Sequence, residues 1–162
     1  MLNISRKEFE SFVREGVEAI PERFRSRIKN VAFLVRAKPT APQRKRHGLL
    51  RGETLLGLYE GIPHTARGEW YGGFALPDKI TIFKKPIEEE ALLLLEDRFS
   101  NNRHVYTIAK MTEEEEAKMF QSGVQKLVFD TVWHEVAHHF GLDEEKVEER
   151  EKQRRRPKAE RV

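Results

Sequence analysis

Two histidines and a glutamate near the C-terminal end of the chain have the types and spacing of a hydrolytic metal centre. His134 and His138 are four residues apart, so on a helix both imidazoles project from one face. Two nitrogen donors at that separation can share one tetrahedral zinc ion. Glu135 lies beside the same face, where its carboxylate can reach a water on the metal without being a ligand. The pattern predicts Zn²⁺ held by the two histidines, with Glu135 as general base.

The residues after this motif offer a third ligand. Catalytic zinc sites generally use three protein ligands and keep one position for water. Gly141, three residues after His138, permits a positive φ and a sharp turn that can bring the chain back to the metal. Asp143 and Glu144 lie where such a return would place a carboxylate. Either residue is therefore a candidate third ligand.

The other histidines of interest have less informative surroundings. His139 follows His138 and points off the ligand face, which is typical of a surface residue or of one that lies behind the ligands. His47 and His64 lie in polar segments and are predicted to be solvated.

A long helix must carry the motif. Thr112 and Glu115 have the spacing of a capping box, in which each side chain binds a free backbone N–H of the first helical turn. Apolar residues then recur at helical spacing up to the motif, and Gly141 is predicted to end the helix. A similar box, Ser5 and Glu8, opens an amphipathic helix near the N-terminus.

Three short strands are predicted between these helices. Val31–Val35 is a compact apolar run, and Leu55–Tyr59 reads as a second strand. Lys79–Lys84 alternates in polarity, and its flanking lysines and Pro86 favour a sheet edge. Lys38–Arg51 is predicted to be a basic loop. Helices at both ends with strands between them predict a compact, single-domain α+β fold with a small mixed sheet and the motif on a long helix.

The charge distribution separates a body from a C-terminal tail. The 162 residues include 30 basic and 27 acidic side chains, which gives a net charge of +3. Residues 150–162 hold seven of the basic and two of the acidic groups, so the remainder has a net charge of −2. A basic body would favour nucleic acid as a partner, and this body is not basic. We predict one domain over residues 1–149 and a flexible basic tail over residues 150–162.

Composition also limits the compartment and the kind of metal site. The chain has no cysteine, which excludes disulfides and thiolate ligands. The longest apolar run, Ala91–Leu95, is too short to span a bilayer. The N-terminus lacks the apolar core of a signal peptide. These features predict a cytoplasmic protein with no membrane association.

Taken together, these residues resemble the minimal zincin-like metallopeptidases, whose motif has the form HExxHxxGxxD. Three further segments resemble family features in family order: residues 18–22, 55–61 and 76–81. The resemblance implies a compact zincin fold and zinc-dependent peptidase activity. It also implies that His134 and His138 are ligands and that Glu135 is the general base. The family's third-ligand aspartate, three residues after Gly141, is here Glu144.

Glu144 is therefore the predicted third ligand. Zinc accepts either carboxylate. Glutamate is one methylene longer than aspartate, which requires a backbone slightly farther from the metal. Asp143 is predicted instead to cap the helix that follows, because aspartate is favoured at that position.

The leading interpretation is a zinc-dependent peptidase that acts on peptides or unfolded protein segments. In zincins the substrate usually binds as an added strand along a sheet edge, for which Lys79–Lys84 is the candidate. A donor to the tetrahedral oxyanion is also expected, and Tyr71, His104 and Tyr106 are candidates. The alternatives are a non-catalytic module that keeps zinc for structure and a binder of acidic partners or nucleic acid through Arg154–Lys158.

Overall fold

Helices surround a small sheet in the computed structural model, which describes residues 2–68, 76–101 and 112–155. The fold is α+β, as predicted. In chain order the elements are α1 (Arg6–Glu18), α2 (Glu22–Arg25), β1 (Val31–Arg36), α3 (Ala41–Arg46), β2 (Gly57–Glu60), a 3₁₀ turn (His64–Ala66), β3 (Asp78–Phe83), α4 (Lys84–Asn101), α5 (Glu113–His139) and α6 (Glu144–Arg155).

The sheet has three strands in the order β1-β3-β2. Strand β1 runs parallel to β3, with Val31 opposite Asp78, and β2 runs antiparallel to β3, with Gly57 opposite Ile82. The prediction that Lys79–Lys84 forms a sheet edge is therefore wrong, because β3 is the central strand. Apart from the exposed Lys79, its side chains are buried on both faces: Ile82 on one face and Thr81, despite its polarity, on the other. The edges are β1 and β2.

Two other boundaries differ from the sequence-based expectation. The predicted basic loop contains α3, which begins with a capping box between Thr40 and Gln43 and with Pro42 in its first turn. Proline suits the first turn of a helix, where its missing N–H has no intrahelical partner. The second strand is Gly57–Glu60, two residues later at its start than predicted.

Helix α5 is the longest element of the described chain and packs against the sheet. Thr112 caps it, and both halves of the predicted capping box with Glu115 are formed. Gly123 lies inside the helix without interrupting it. The buried positions of α5 recur at helical spacing and face α1, α4 and the sheet: Phe120, Val124, Val128, Thr131, Val132, Glu135, Val136, Ala137 and His139. The motif thus lies at the C-terminal end of a helix anchored along its length by the core.

Some expectations fall on residues outside the described ranges. These include the candidate oxyanion donors Tyr71, His104 and Tyr106. Helix α6 continues past residue 150 to Arg155, and residues 156–162 are not described, so the flexible tail stays a prediction. Over the ranges that are described, no helix is long and apolar enough to cross a membrane.

Candidate metal centre

The two motif histidines meet on one face at the end of α5. Their rings are 4.8 Å apart between centroids, and the Nε2 atom of His138 lies 3.1 Å from the Nε2 atom of His134. Both side chains are about one-quarter exposed. The spacing of four residues therefore brings two nitrogen donors to one point, as the sequence predicted.

Glu144, the first residue of α6, completes this group. Its carboxylate oxygens lie 3.4 Å from the Nε2 atom of His134 and 3.2 Å from the Nε2 atom of His138. One donor atom from each of the three residues lies within 4.8 Å of the others. Gly141 makes the return possible, because its φ is +86° and a Cβ there would collide with Thr65.

Asp143 has a different position from Glu144, although the two are adjacent. Its carboxylate accepts a hydrogen bond from the backbone N–H of Lys146 at 3.0 Å and an ion pair from the Lys146 ammonium at 2.7 Å. These bonds lower the pKa of Asp143. Asp143 therefore caps α6, as predicted, and of these two adjacent carboxylates it is that of Glu144 that contacts His134 and His138.

The Glu135 side chain is closely packed between α5 and β2. The side chain is only 7% exposed. A Cβ on Gly57 would lie 2.7 Å from its Oε1 atom and 2.8 Å from its Cγ atom, so the strand must have glycine at this position. Burial raises the pKa of Glu135 to about 7, although the neighbouring His134 and the backbone N–H of Tyr59 act in the opposite direction.

An open cleft of about 610 Å³ lies over these residues. Its floor contains the motif and Glu144, and its walls come from β2, from the 3₁₀ segment and from the turn after α5: Leu55, Gly57, Leu58, Tyr59, Pro63, Thr65, Ala66, Gly141, Leu142 and Asp143. His47 also lines it. His47 is exposed, as predicted, but the sequence did not indicate its place beside the motif.

Among the described strands, none pairs with the outer edge of β2, which lies beside this cleft. The carbonyl of Leu56 accepts a hydrogen bond from the N–H of Phe83 on β3. Because backbone groups alternate in direction along a strand, the N–H and C=O groups of Gly57 and Tyr59 point away from β3. The outer edge of β2 therefore faces Glu135.

Behind the cleft, a buried carboxylate joins four parts of the chain. Asp78 is 2% exposed. It forms an ion pair with Arg67 and accepts hydrogen bonds from the Tyr59 hydroxyl at 2.8 Å and the Ile62 N–H at 3.3 Å. The Nδ1 atom of His139 lies 3.1 Å from the same carboxylate. This network ties the start of β3 and the wall of the cleft to the last residue of α5.

His139 is fully buried, so the surface alternative for it is wrong. Its contacts are with Asp78, Tyr59 and Phe140. Burial and the nearby Arg67 lower its pKa, while the bond to Asp78 opposes them. Its Nε2 atom has no hydrogen-bond partner among the described residues. His64, predicted to be solvated, is an edge-on neighbour of this ring at 6.5 Å between centroids.

The family model of zincin-like metallopeptidases matches residues 28–99 and 108–154. The chain belongs to this family. The two matched segments cover more than half of the chain and include the sheet, the motif and Glu144. No match was found among curated proteins. Zincin-like metallopeptidases typically bind zinc.

The hydrogen bonds of this zincin-like site leave a lone pair on one nitrogen of each motif histidine, and a cation could bind both. The Nδ1 atom of His134 lies 3.1 Å from a carboxylate oxygen of Glu151, and the Nδ1 atom of His138 lies 2.9 Å from the carbonyl oxygen of Leu142. Both oxygens are acceptors, so in the neutral rings each Nδ1 carries the hydrogen and each Nε2 carries a lone pair. Two such lone pairs and the Glu144 carboxylate converge, which is the donor set that zinc prefers.

Sequence reasoning missed three residues of this site. Glu151 is one of many charged residues in α6, and nothing in the local sequence singles it out. Gly57 and Asp78 lie in two segments that resemble the family, but their spacing alone gives them no role. The candidate oxyanion donors Tyr71, His104 and Tyr106 lie outside the described residues.

Proposed function

We propose that this protein hydrolyses peptide bonds with a zinc ion held by His134, His138 and Glu144. The observation that carries the proposal is the convergence of three donor atoms at the floor of an open cleft. A zinc ion held by these residues would polarise the substrate carbonyl and lower the pKa of a bound water to about 7. The protein's own residues must then orient the substrate and move the protons.

Glu135 is the residue that would move protons in this proposal. It lines the same cleft and is next to His134 in the chain. Its close packing against Gly57 limits the positions that the carboxylate can occupy. As general base it takes a proton from the attacking water and passes it to the leaving amine. It must be charged to do so. The Tyr59 N–H favours that form, as would a cation on the neighbouring histidines.

The substrate would bind as an extended segment along β2. This strand replaces Lys79–Lys84 as the candidate edge, because β3 is enclosed between two strands. The outward backbone groups of Gly57 and the outward carbonyl of Tyr59 are suitably placed for main-chain hydrogen bonds to a peptide. Main-chain recognition of this kind accepts many sequences, which suits peptides and unfolded protein segments.

The alternative of a purely structural zinc is less consistent with this geometry. Structural zinc sites are usually closed by four protein ligands, whereas catalytic sites keep one position open. In the part of the chain that is described, three residues form the donor group and it faces a cleft.

A peptide-library cleavage assay tests the proposal. The zinc-loaded protein should cleave members of the library, and a chelator should abolish the cleavage. Glu135→Gln should keep zinc and lose cleavage by on the order of a hundredfold or more, because it removes the base and no ligand. Glu148→Gln, an exposed glutamate of α6, is the matched control and should cleave as the parent does. An equally active Glu135→Gln variant would remove Glu135 from the mechanism.

A further inference from the structure

Helix α6 has little apolar surface with which to hold its position. Among its residues 144–152, only Val147 is buried, and most of the others are exposed and charged. A helix of this length is marginal on its own, and packing usually fixes its place. The contacts that orient α6 on α5 must therefore include polar ones.

Two carboxylates of α6 share the face that carries Val147. Glu144, Val147 and Glu151 follow one another at intervals of three and four residues, so they line one side of the helix. Both carboxylates meet the same imidazole. Glu144 lies 3.4 Å from Nε2 of His134, and Glu151 lies 3.1 Å from Nδ1 of the same ring. Both ring nitrogens of His134 therefore face α6.

We propose that Glu151 is a positioning residue of the metal centre. Its carboxylate accepts a hydrogen bond from the Nδ1–H group of His134. This bond turns the Nε2 lone pair toward His138 and Glu144 and makes the ring a stronger metal ligand. The two side chains are 19% and 24% exposed, so solvent screens the pair only in part. Helix α6 thus supplies both the third ligand and the carboxylate that orients the first. This inference rests on the proposed zinc site.

The two histidines differ in a way that makes the inference testable. His138 is oriented by a backbone carbonyl, that of Leu142, which no substitution removes. His134 is oriented by a side chain, so its orientation can be changed without altering any proposed ligand. Glu151→Ala removes the acceptor, whereas Glu151→Gln keeps an acceptor oxygen and removes the charge.

The experiment measures zinc affinity by competition with a chromophoric chelator. Glu151→Ala should weaken zinc binding about 10- to 100-fold. Glu151→Gln should lie between this variant and the parent, because its amide oxygen still orients the ring. Glu148→Gln changes a glutamate of the same helix whose ion pair is with Lys152, and it should match the parent.

Imidazole nitrogen NMR on the metal-free protein supplies a second readout. The parent and Glu151→Gln should show His134 with its hydrogen on Nδ1, and Glu151→Ala should show a mixture of the two tautomers. If Glu151 acted through packing alone, Glu151→Ala would keep the parent's tautomer of His134. Parent-like zinc affinity in Glu151→Ala would overturn the inference and leave the zinc site standing. A parent protein that binds no zinc would overturn both.

Discussion

Replacing Gly57 by alanine should disturb the packing around Glu135 more than the packing around the proposed metal ligands. A Cβ at this position would lie 2.6 Å from the Cγ2 atom of Thr131 and 2.7 Å from the Oε1 atom of Glu135. Thr131 cannot move easily, because it is buried and its hydroxyl donates to the Leu127 carbonyl at 2.7 Å. Glu135 would therefore shift. Overpacking of this kind costs about 1–3 kcal/mol in the free energy of unfolding.

The assay compares stability, zinc affinity and cleavage for Gly57→Ala. For a chain of this size each kcal/mol corresponds to about 2–4 °C in melting temperature. Cleavage should fall while zinc affinity stays near that of the parent, since Gly57 lies against Glu135 and not against a proposed ligand. The control is Gly123→Ala inside α5, where the nearest atom to a Cβ is 3.8 Å away. It should raise stability by up to about 1 kcal/mol. A Gly57→Ala protein with parental stability and cleavage would refute the reasoning.

Two further predictions concern the carboxylates around the site. Glu144→Ala should weaken zinc binding strongly, whereas Asp143→Ala should leave the affinity near the parental value and lower the melting temperature. The reverse ranking in chelator competition would exchange their roles. Asp78→Ala should cost about 3–5 kcal/mol in urea unfolding, because it leaves the Arg67 charge buried without its carboxylate. A loss below about 1 kcal/mol would show that water or other groups replace Asp78.

Local signals made most of the helices and all three strands predictable, while the pairing of the strands did not show in the sequence. The Thr112 capping box and the apolar spacing after it are features of adjacent residues, and they located α5 closely. The central place of β3 depends on strands that lie more than 15 residues away on one side and more than 40 on the other. Its lysines suggested an edge, but Lys79 is paired with Ala32 on one side and with Glu60 on the other, and Lys84 follows the strand. Helix α3 was missed because six residues show no periodicity.

The candidate site was predictable where the ligands lie close in sequence. Spacing from His138 and the turn at Gly141 led to Asp143 or Glu144, and the resemblance to the family's motif selected Glu144. Asp78 and Gly57 are brought to the site by the sheet, so their roles required the fold. Glu151 lies seven residues after Glu144 in a run of similar charges, and only the contact of its carboxylate with His134 distinguishes it.

The metal content of the purified protein tests the central claim most directly. Native mass spectrometry of the parent should find about one zinc per chain. His134→Ala and His138→Ala should each retain no tightly bound zinc, because each leaves two of the three donors that converge in the cleft. Full zinc occupancy in both variants would contradict the assignment of the metal centre.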